Sequence, residues 1–144
     1  MDCCCNLKNP HYKSVLEAYN TAAQTLAAAP APLNLGATVT DTGCALSLNG
    51  AAVNVRAGGT YQIDGDVNVT ATAAGTVTVQ IYLNGVALPE TLRTISVAAG
   101  QYAISTRTAR YIAPNCANVN SLTLQASGAG ATVDLTGVRV VRLA

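Results

Sequence analysis

The strongest constraint on the fold is an alternation of apolar and polar side chains that runs from residue 33 almost to the end of the chain. Val77, Val79, Ile81 and Leu83 show it most clearly, and a period of two is typical of a β-strand with one buried face. Many short strands separated by regular turns predict an all-β chain, built as an antiparallel sandwich, jelly roll or barrel. The turn-forming pairs are Asn49-Gly50, Gly58-Gly59, Ala74-Gly75, Asn84-Gly85, Ala99-Gly100, Pro114-Asn115 and Ser127-Gly128.

Residues 10–29 depart from this alternation and predict a short α-helix. Asn9-Pro10 supplies an N-cap followed by Pro at the first helical position, and Ala and Leu, which favour helices, follow it. Such a helix either docks on its own domain or forms a short trimeric coiled coil, and two heptads do not decide between these alternatives. The apolar seam, spaced at three and four residues, would consist of Tyr12, Val15, Tyr19, Ala22 and Leu26.

The chain therefore divides into a cysteine-rich arm over 1–9, the helix over 10–29, a Pro/Ala linker over 30–35 and a β domain over 36–144. No signal peptide is recognisable at the N-terminus, and no apolar run approaches the ~20 residues that span a bilayer. We expect no membrane partner.

The low charge of the chain limits its partners. Eight Lys and Arg against seven Asp and Glu give a net charge of +1, and only 10% of the residues are charged. This balance provides no basic field for nucleic acid, and the apolar half of the composition argues against disorder. So few charges predict a surface that is rich in Thr, Asn, Gln and Ser, or that is covered by other copies of the chain.

The order of four segments is more specific than a generic sandwich. They are GTYQI at 59–63, GTVTVQIYLNG at 75–85, AGQYAI at 99–104 and TGVRVVRL at 136–143. Over residues 36–144 this order resembles the trimeric jelly roll of the tumour-necrosis-factor and complement globular-head superfamily. It is most similar to the bacterial and phage branch, which includes the C-terminal heads of exosporium collagen-like proteins. The resemblance implies a TNF-like jelly roll and a homotrimer with its N-termini gathered at one end.

The cysteines are the most unusual local feature. Cys3, Cys4 and Cys5 are consecutive, which matches no zinc-site spacing. The arm is similar to the Cys-rich arms of endospore appendage subunits, which makes these thiols candidates for disulfides between subunits. An untethered arm and a metal-binding arm are the alternatives. Cys44 and Cys116 lie in separate β segments and would either pair within one subunit or remain buried thiols.

The chain offers few residues for catalysis. His11 is the only histidine, and no residue near it in sequence would orient it as a base. Asp64, Asp66 and Asn68 share one face of a strand, which we interpret as carboxylates at a strand edge or bulge rather than a calcium site. We expect a non-enzymatic protein with no catalytic residues, no cofactor and no metal site.

The leading hypothesis is a homotrimeric jelly-roll knob on the surface of a tailed-phage virion. As a head decoration or head fibre, it would be anchored to a capsid protein by the N-terminal arm and helix. A self-assembling, disulfide-stapled filament subunit of a spore or bacterial cell surface is the first alternative. An adhesin or receptor-binding tip that recognises a surface glycan is the second.

Overall fold

The computed structural model describes residues 13–115 and 118–143. Strands dominate these ranges, and the single helical element among them is a 3-10 turn over Pro89–Thr91. The strands are β1 (Val15–Asn20), β2 (Gln24–Thr25), β3 (Ala31–Pro32), β4 (Ala37–Thr42), β5 (Leu46–Asn49), β6 (Ala52–Val55), β7 (Gly59–Ala71), β8 (Gly75–Leu83), β9 (Val86–Ala87), β10 (Arg93–Val97), β11 (Gly100–Ile112), β12 (Asn120–Ser127) and β13 (Ala131–Arg142).

Two antiparallel sheets form the fold. Sheet A has the strand order β11-β7-β13-β1-β4, with β2 beside β13. Sheet B has the order β10-β8-β12-β6-β5, with β3 beside β12 and β9 beside β8. Non-consecutive strands are neighbours in both sheets, and the chain crosses between the sheets several times. This confirms the all-β, antiparallel jelly-roll prediction.

The core lies between the sheets because alternate residues of each strand point inward. The 13-residue strand β7 shows the pattern: Tyr61, Ile63, Val67 and Val69 are buried, whereas Gln62, Asp64, Asp66 and Asn68 face outward. Val77, Val79 and Ile81 of β8 and Leu122 and Leu124 of β12 pack from the opposite sheet. The alternation that predicted the strands is therefore the pattern that fills the core.

The helix predicted over 10–29 is wrong in the described part of that range. Residues Val15–Asn20 form β1, which pairs on one side with β13 and on the other with β4. Leu16 and Ala18 point into the core and Glu17 points to solvent. Helix propensity is a weak preference, and pairing of both edges of β1 within a sheet outweighs it here. Residues 10–12 lie outside the described ranges.

The sandwich begins before residue 36, where the sequence pattern placed its start. β1 and β2 belong to sheet A, and within the predicted linker β3 pairs with β12 of sheet B. Leu33 and Leu35 of the same segment are buried in the core. No helix in the described part of the chain is long and apolar enough to cross a membrane.

Candidate interaction surface

The solvent-facing side of sheet A carries an open groove of about 910 Å³. Central strands β7 and β13 form its floor, and edge strands β4 and β11 lie on its two sides. Two smaller depressions lie on the same face, one beside Asn68 and Asp134 and one beside Gln62 and Ala109. The concave surface therefore follows most of this sheet face.

A row of alternating charges crosses the groove. Arg107 of β11 lies opposite Asp64 of β7, Asp64 lies opposite Arg139 of β13, and Arg139 lies opposite Glu17 of β1. We call these four residues the charge row. Directly opposite residues of antiparallel strands are ~4.5–5.5 Å apart at Cα, so the four positions are adjacent in space although they span most of the sequence.

Among the described residues, no ion pair within 4.0 Å involves a member of the charge row. Between described residues, the ion pair within 4.0 Å joins Arg110 to Glu90, at the edge of β11. Asp64 accepts a long hydrogen bond of 3.4 Å from the Gln62 side chain. Two cations and two anions are therefore available to charged groups that approach from outside the chain.

Exposed apolar side chains lie at the β1–β4 side of the charge row. Tyr19 is 51% exposed and Val39 is 60% exposed, and both line the groove. Tyr111 is exposed near the end of the edge strand β11. Exposed apolar side chains grouped on one sheet face provide contact area that a second molecule could cover.

The edge of sheet A at β11 is covered by the 3-10 turn. The Thr106 hydroxyl donates to the Thr91 carbonyl (2.6 Å), and the Thr108 hydroxyl donates to the Glu90 carboxylate (2.9 Å). The pKa of Glu90 is lowered, first by a hydrogen bond from its own backbone and then by the Thr108 hydroxyl and the Arg110 charge, while partial burial opposes the shift. The turn thus holds β11, the strand along one side of the groove, partly through a carboxylate that is ionised at neutral pH.

The outward face of sheet B has the opposite character. Its strand residues are hydroxyls and amides with small apolar residues, and no charged residue is among them. Thr78 and Ser127 hydrogen-bond to each other, and the Gln125 amide donates to the Thr123 hydroxyl at 3.2 Å. The polar positions on this face are Ser47, Asn49, Asn54, Thr76, Thr78, Gln80, Tyr82, Thr94, Ser96, Ser121, Thr123, Gln125 and Ser127.

The residues of the predicted helical seam do not share one face. Val15 and Tyr19 point outward from β1, and Ala22 lies in an exposed turn where its amide donates to the Asn20 side chain at 2.9 Å. Leu26 is buried, with its amide bonded to the Ala131 carbonyl at 3.0 Å. The seam cannot form in this segment because strand geometry replaces the helical period; Tyr12 lies outside the described residues.

The other predicted site residues are divided between the described and undescribed parts of the chain. Cys44 lies in the turn from β4 to β5 and is disulfide-bonded. The candidates Cys3, Cys4, Cys5 and Cys116 lie outside the described residues, as does His11.

The sequence analysis placed the acidic segment of β7 at a strand edge or bulge, with its polar side chains on one face. Asp64, Asp66 and Asn68 do share the outward face of the strand, and Asp66 accepts a hydrogen bond from the Ser105 hydroxyl at 2.7 Å. β7 is nevertheless a central strand between β11 and β13, so its interpretation as a strand edge was wrong. Within residues 13–115 and 118–143, no group of three or more His, Cys, Asp or Glu side chains is placed to hold a metal ion.

The sequence analysis did not identify the charge row. Alternation alone indicates that Arg107 and Arg139 face solvent, because their neighbours in β11 and β13 include buried residues. It does not indicate which strands are neighbours. The row exists because β7 and β13 are paired in the centre of sheet A.

No protein-family model matches the chain, and no curated protein sequence does either. Solved structures do match. Murine APRIL at pH 8.5 is 17% identical with a TM-score of 0.69, over 91% of this chain and 99% of that chain. Eiger TNF from S. frugiperda is 11% identical with a TM-score of 0.68, over 94% of both chains.

A viral protein has the same architecture. The PRD1 vertex protein P5 is 14% identical with a TM-score of 0.60, over 90% of this chain and 72% of that chain. Identities this low carry information about the fold alone. The two sheets and these similarities together identify the chain as a TNF-like jelly roll.

Proposed function

We propose that this protein is a non-enzymatic structural protein that forms a homotrimeric knob on the surface of a tailed-phage virion, as a head decoration or head fibre. The observation that carries the proposal is the groove on sheet A, which brings four charged residues and exposed apolar side chains together on one face of a chain with so few charged residues. The similarity of the fold to the PRD1 vertex protein supports a virion setting.

The groove face has the properties of a contact between copies of the chain. The charge row contains two cations and two anions, and another copy of the chain would have to supply charges that complement them. In a closed ring of subunits, a different patch of the next subunit would supply those charges. Tyr19 and Val39 would add apolar area to that contact. The resemblance to trimeric jelly rolls favours three copies over other ring sizes.

In such a trimer the outward face of sheet B would be displayed to solvent. Hydroxyl and amide side chains hydrogen-bond to water without carrying charge. Such a face would keep the assembly in solution although only 10% of the residues are charged. The sequence analysis assigned the anchoring role to the arm over 1–9 together with the predicted helix. Because Val15–Asn20 of that helix form a strand of the sandwich, we assign the anchoring role to the arm alone.

Oligomeric state provides the first test, with a matched pair of variants. Val39→Arg places a buried charge in the proposed interface, whereas Val86→Arg makes the same change at a residue of sheet B that is 67% exposed. Light scattering after gel filtration should give three times the chain mass for the wild type and for Val86→Arg. Val39→Arg should give mainly monomer, because an unpaired charge in an interface costs several kcal/mol.

Three results of that experiment would change the proposal. A monomeric wild type at micromolar concentration contradicts the trimer. Trimers in both variants place the interface away from the groove. Polymers that dissolve in reductant would favour the disulfide-stapled filament subunit.

Position on a virion provides the second test. Antibodies raised against the purified protein should label intact particles of the virus that encodes it, seen by immunogold electron microscopy. Labelling that appears only after the particles are disrupted would contradict a surface position, and absence of the protein from purified particles would contradict a virion role.

A further inference from the structure

The single disulfide-bonded residue in the described part of the chain is Cys44. Every other cysteine of the sequence lies outside the described residues, so the partner is Cys116 or one of Cys3, Cys4 and Cys5. We infer that the partner is Cys116, and that the bond is a covalent clamp between two connections that link sheet A to sheet B.

The clamp rests on how these connections meet at one end of the sandwich. Cys44 belongs to the turn that leaves sheet A after β4 and enters sheet B at β5. The next residue, Ala45, accepts a hydrogen bond from the Arg56 amide at 2.7 Å, in the connection from β6 to β7. Gly58 lies two residues after Arg56 in the same connection. A Cβ on Gly58 would lie 2.6 Å from the Pro114 ring, so Pro114 packs directly against this connection.

Pro114 therefore brings the connection that follows β11 close to the turn that contains Cys44. Cys116 is two residues beyond Pro114, a reach of roughly 7 Å. Two hydrogen bonds hold this connection on both sides of Cys116: the Asn120 side chain donates to the Ala113 carbonyl at 2.8 Å, and the Asn118 amide donates to the Asn115 side chain at 3.0 Å. A disulfide requires the two Cβ atoms to lie ~4 Å apart, and Pro114, two residues before Cys116, packs against the connection that is hydrogen-bonded to the residue after Cys44.

A bond from Cys44 to an N-terminal cysteine would need a longer connecting segment. Ser14 does contact the same turn, since the Ala45 amide donates to its hydroxyl at 3.2 Å. Cys5, however, precedes Ser14 by nine residues, and each of them would lose conformational freedom in forming the bond. With Cys44 and Cys116 joined, the three thiols of the arm would be left for bonds to other chains.

A disulfide of this kind indicates where the protein works. Disulfides persist outside the reducing cytosol, so the clamp fits a protein that is used on an exposed particle or cell surface. This inference concerns the fold of one subunit and does not depend on the proposed trimer.

Peptide mapping tests the pairing directly, because trypsin separates the candidate cysteines. Cleavage after Lys and Arg releases Cys44 in the peptide 14–56, Cys116 in 111–139 and Cys3, Cys4 and Cys5 in 1–8. Mass spectrometry of the oxidised full chain, digested without reductant after blocking free thiols, should find 14–56 joined to 111–139. A bond from 14–56 to 1–8, or a blocked free thiol at Cys44, would overturn the inference.

Thermal stability gives an independent readout. Cys44→Ser and Cys116→Ser should each lower the Tm by about 10 °C, and the double variant should fall no further, since one cross-link is lost in each case. A variant with Cys3, Cys4 and Cys5 all changed to Ser should keep the wild-type Tm. Additive losses from Cys44→Ser and Cys116→Ser, or a loss on changing the arm, would contradict the clamp; a variant too unstable to purify leaves the peptide map of the wild type as the decisive result.

Discussion

Gly36→Ala should lower the free energy of unfolding by about 3–5 kcal/mol, which is a large fraction of the total stability of an ordinary domain. Gly36 has a φ of 76°, and a Cβ there would lie 2.1 Å from the Tyr19 carbonyl oxygen. The left-handed backbone costs roughly 1–2 kcal/mol for a residue with a Cβ, and the clash adds more because backbone of β1 must move to relieve it. Urea unfolding, followed by circular dichroism, measures the change.

Gly50→Ala is the matched control for this result. Gly50 also has a positive φ, of 61°, but nothing lies within 4 Å of the position a Cβ would take. The expected loss is ~1 kcal/mol, from backbone strain alone. Equal losses at Gly36 and Gly50 would mean that the approach of Gly36 to β1 is not as close as described. Protein concentration should be the same throughout, because unfolding of an oligomer depends on it.

Tyr61→Ala should lower the free energy of unfolding by a similar amount, ~3–5 kcal/mol. Tyr61 is fully buried near the start of β7, and removal of its side chain leaves a cavity between the sheets. Its hydroxyl also donates a hydrogen bond of 2.7 Å to the Ala57 carbonyl, which ties β7 to the connection that precedes it. Thermal unfolding should show a lower Tm with no change in the native spectrum at low temperature.

Tyr61→Phe separates the two contributions. The ring remains, so the packing of the core is kept, and the loss should be ~1–2 kcal/mol for a buried carbonyl that loses its donor. A Tyr61→Phe variant as unstable as Tyr61→Ala would contradict the packing argument and assign the whole effect to the hydroxyl.

The β architecture could be predicted from sequence because strand alternation is a local property. In β8, apolar side chains at Val77, Val79 and Ile81 alternate with polar ones, and turn residues mark where the strand ends. The first strand was missed because its pairing is not a local property. Its segment contains good helix formers and apolar residues at helical spacing, and no local signal shows that an unpaired edge of β13 is available to it.

Local sequence thus determined that the chain is built of strands, which residues of each strand face the core, and that Asp64 and Asp66 face solvent together. Tertiary structure decided the order of the strands, and with it every relation between residues far apart in sequence. Glu17 and Arg139 are neighbours only because β1 completes the edge of β13. Alternation is set within each strand by the directions of successive side chains. Which strands pair depends on how the whole chain finds hydrogen-bond partners for the backbone groups of its strand edges and buries its apolar faces. No single segment encodes that balance.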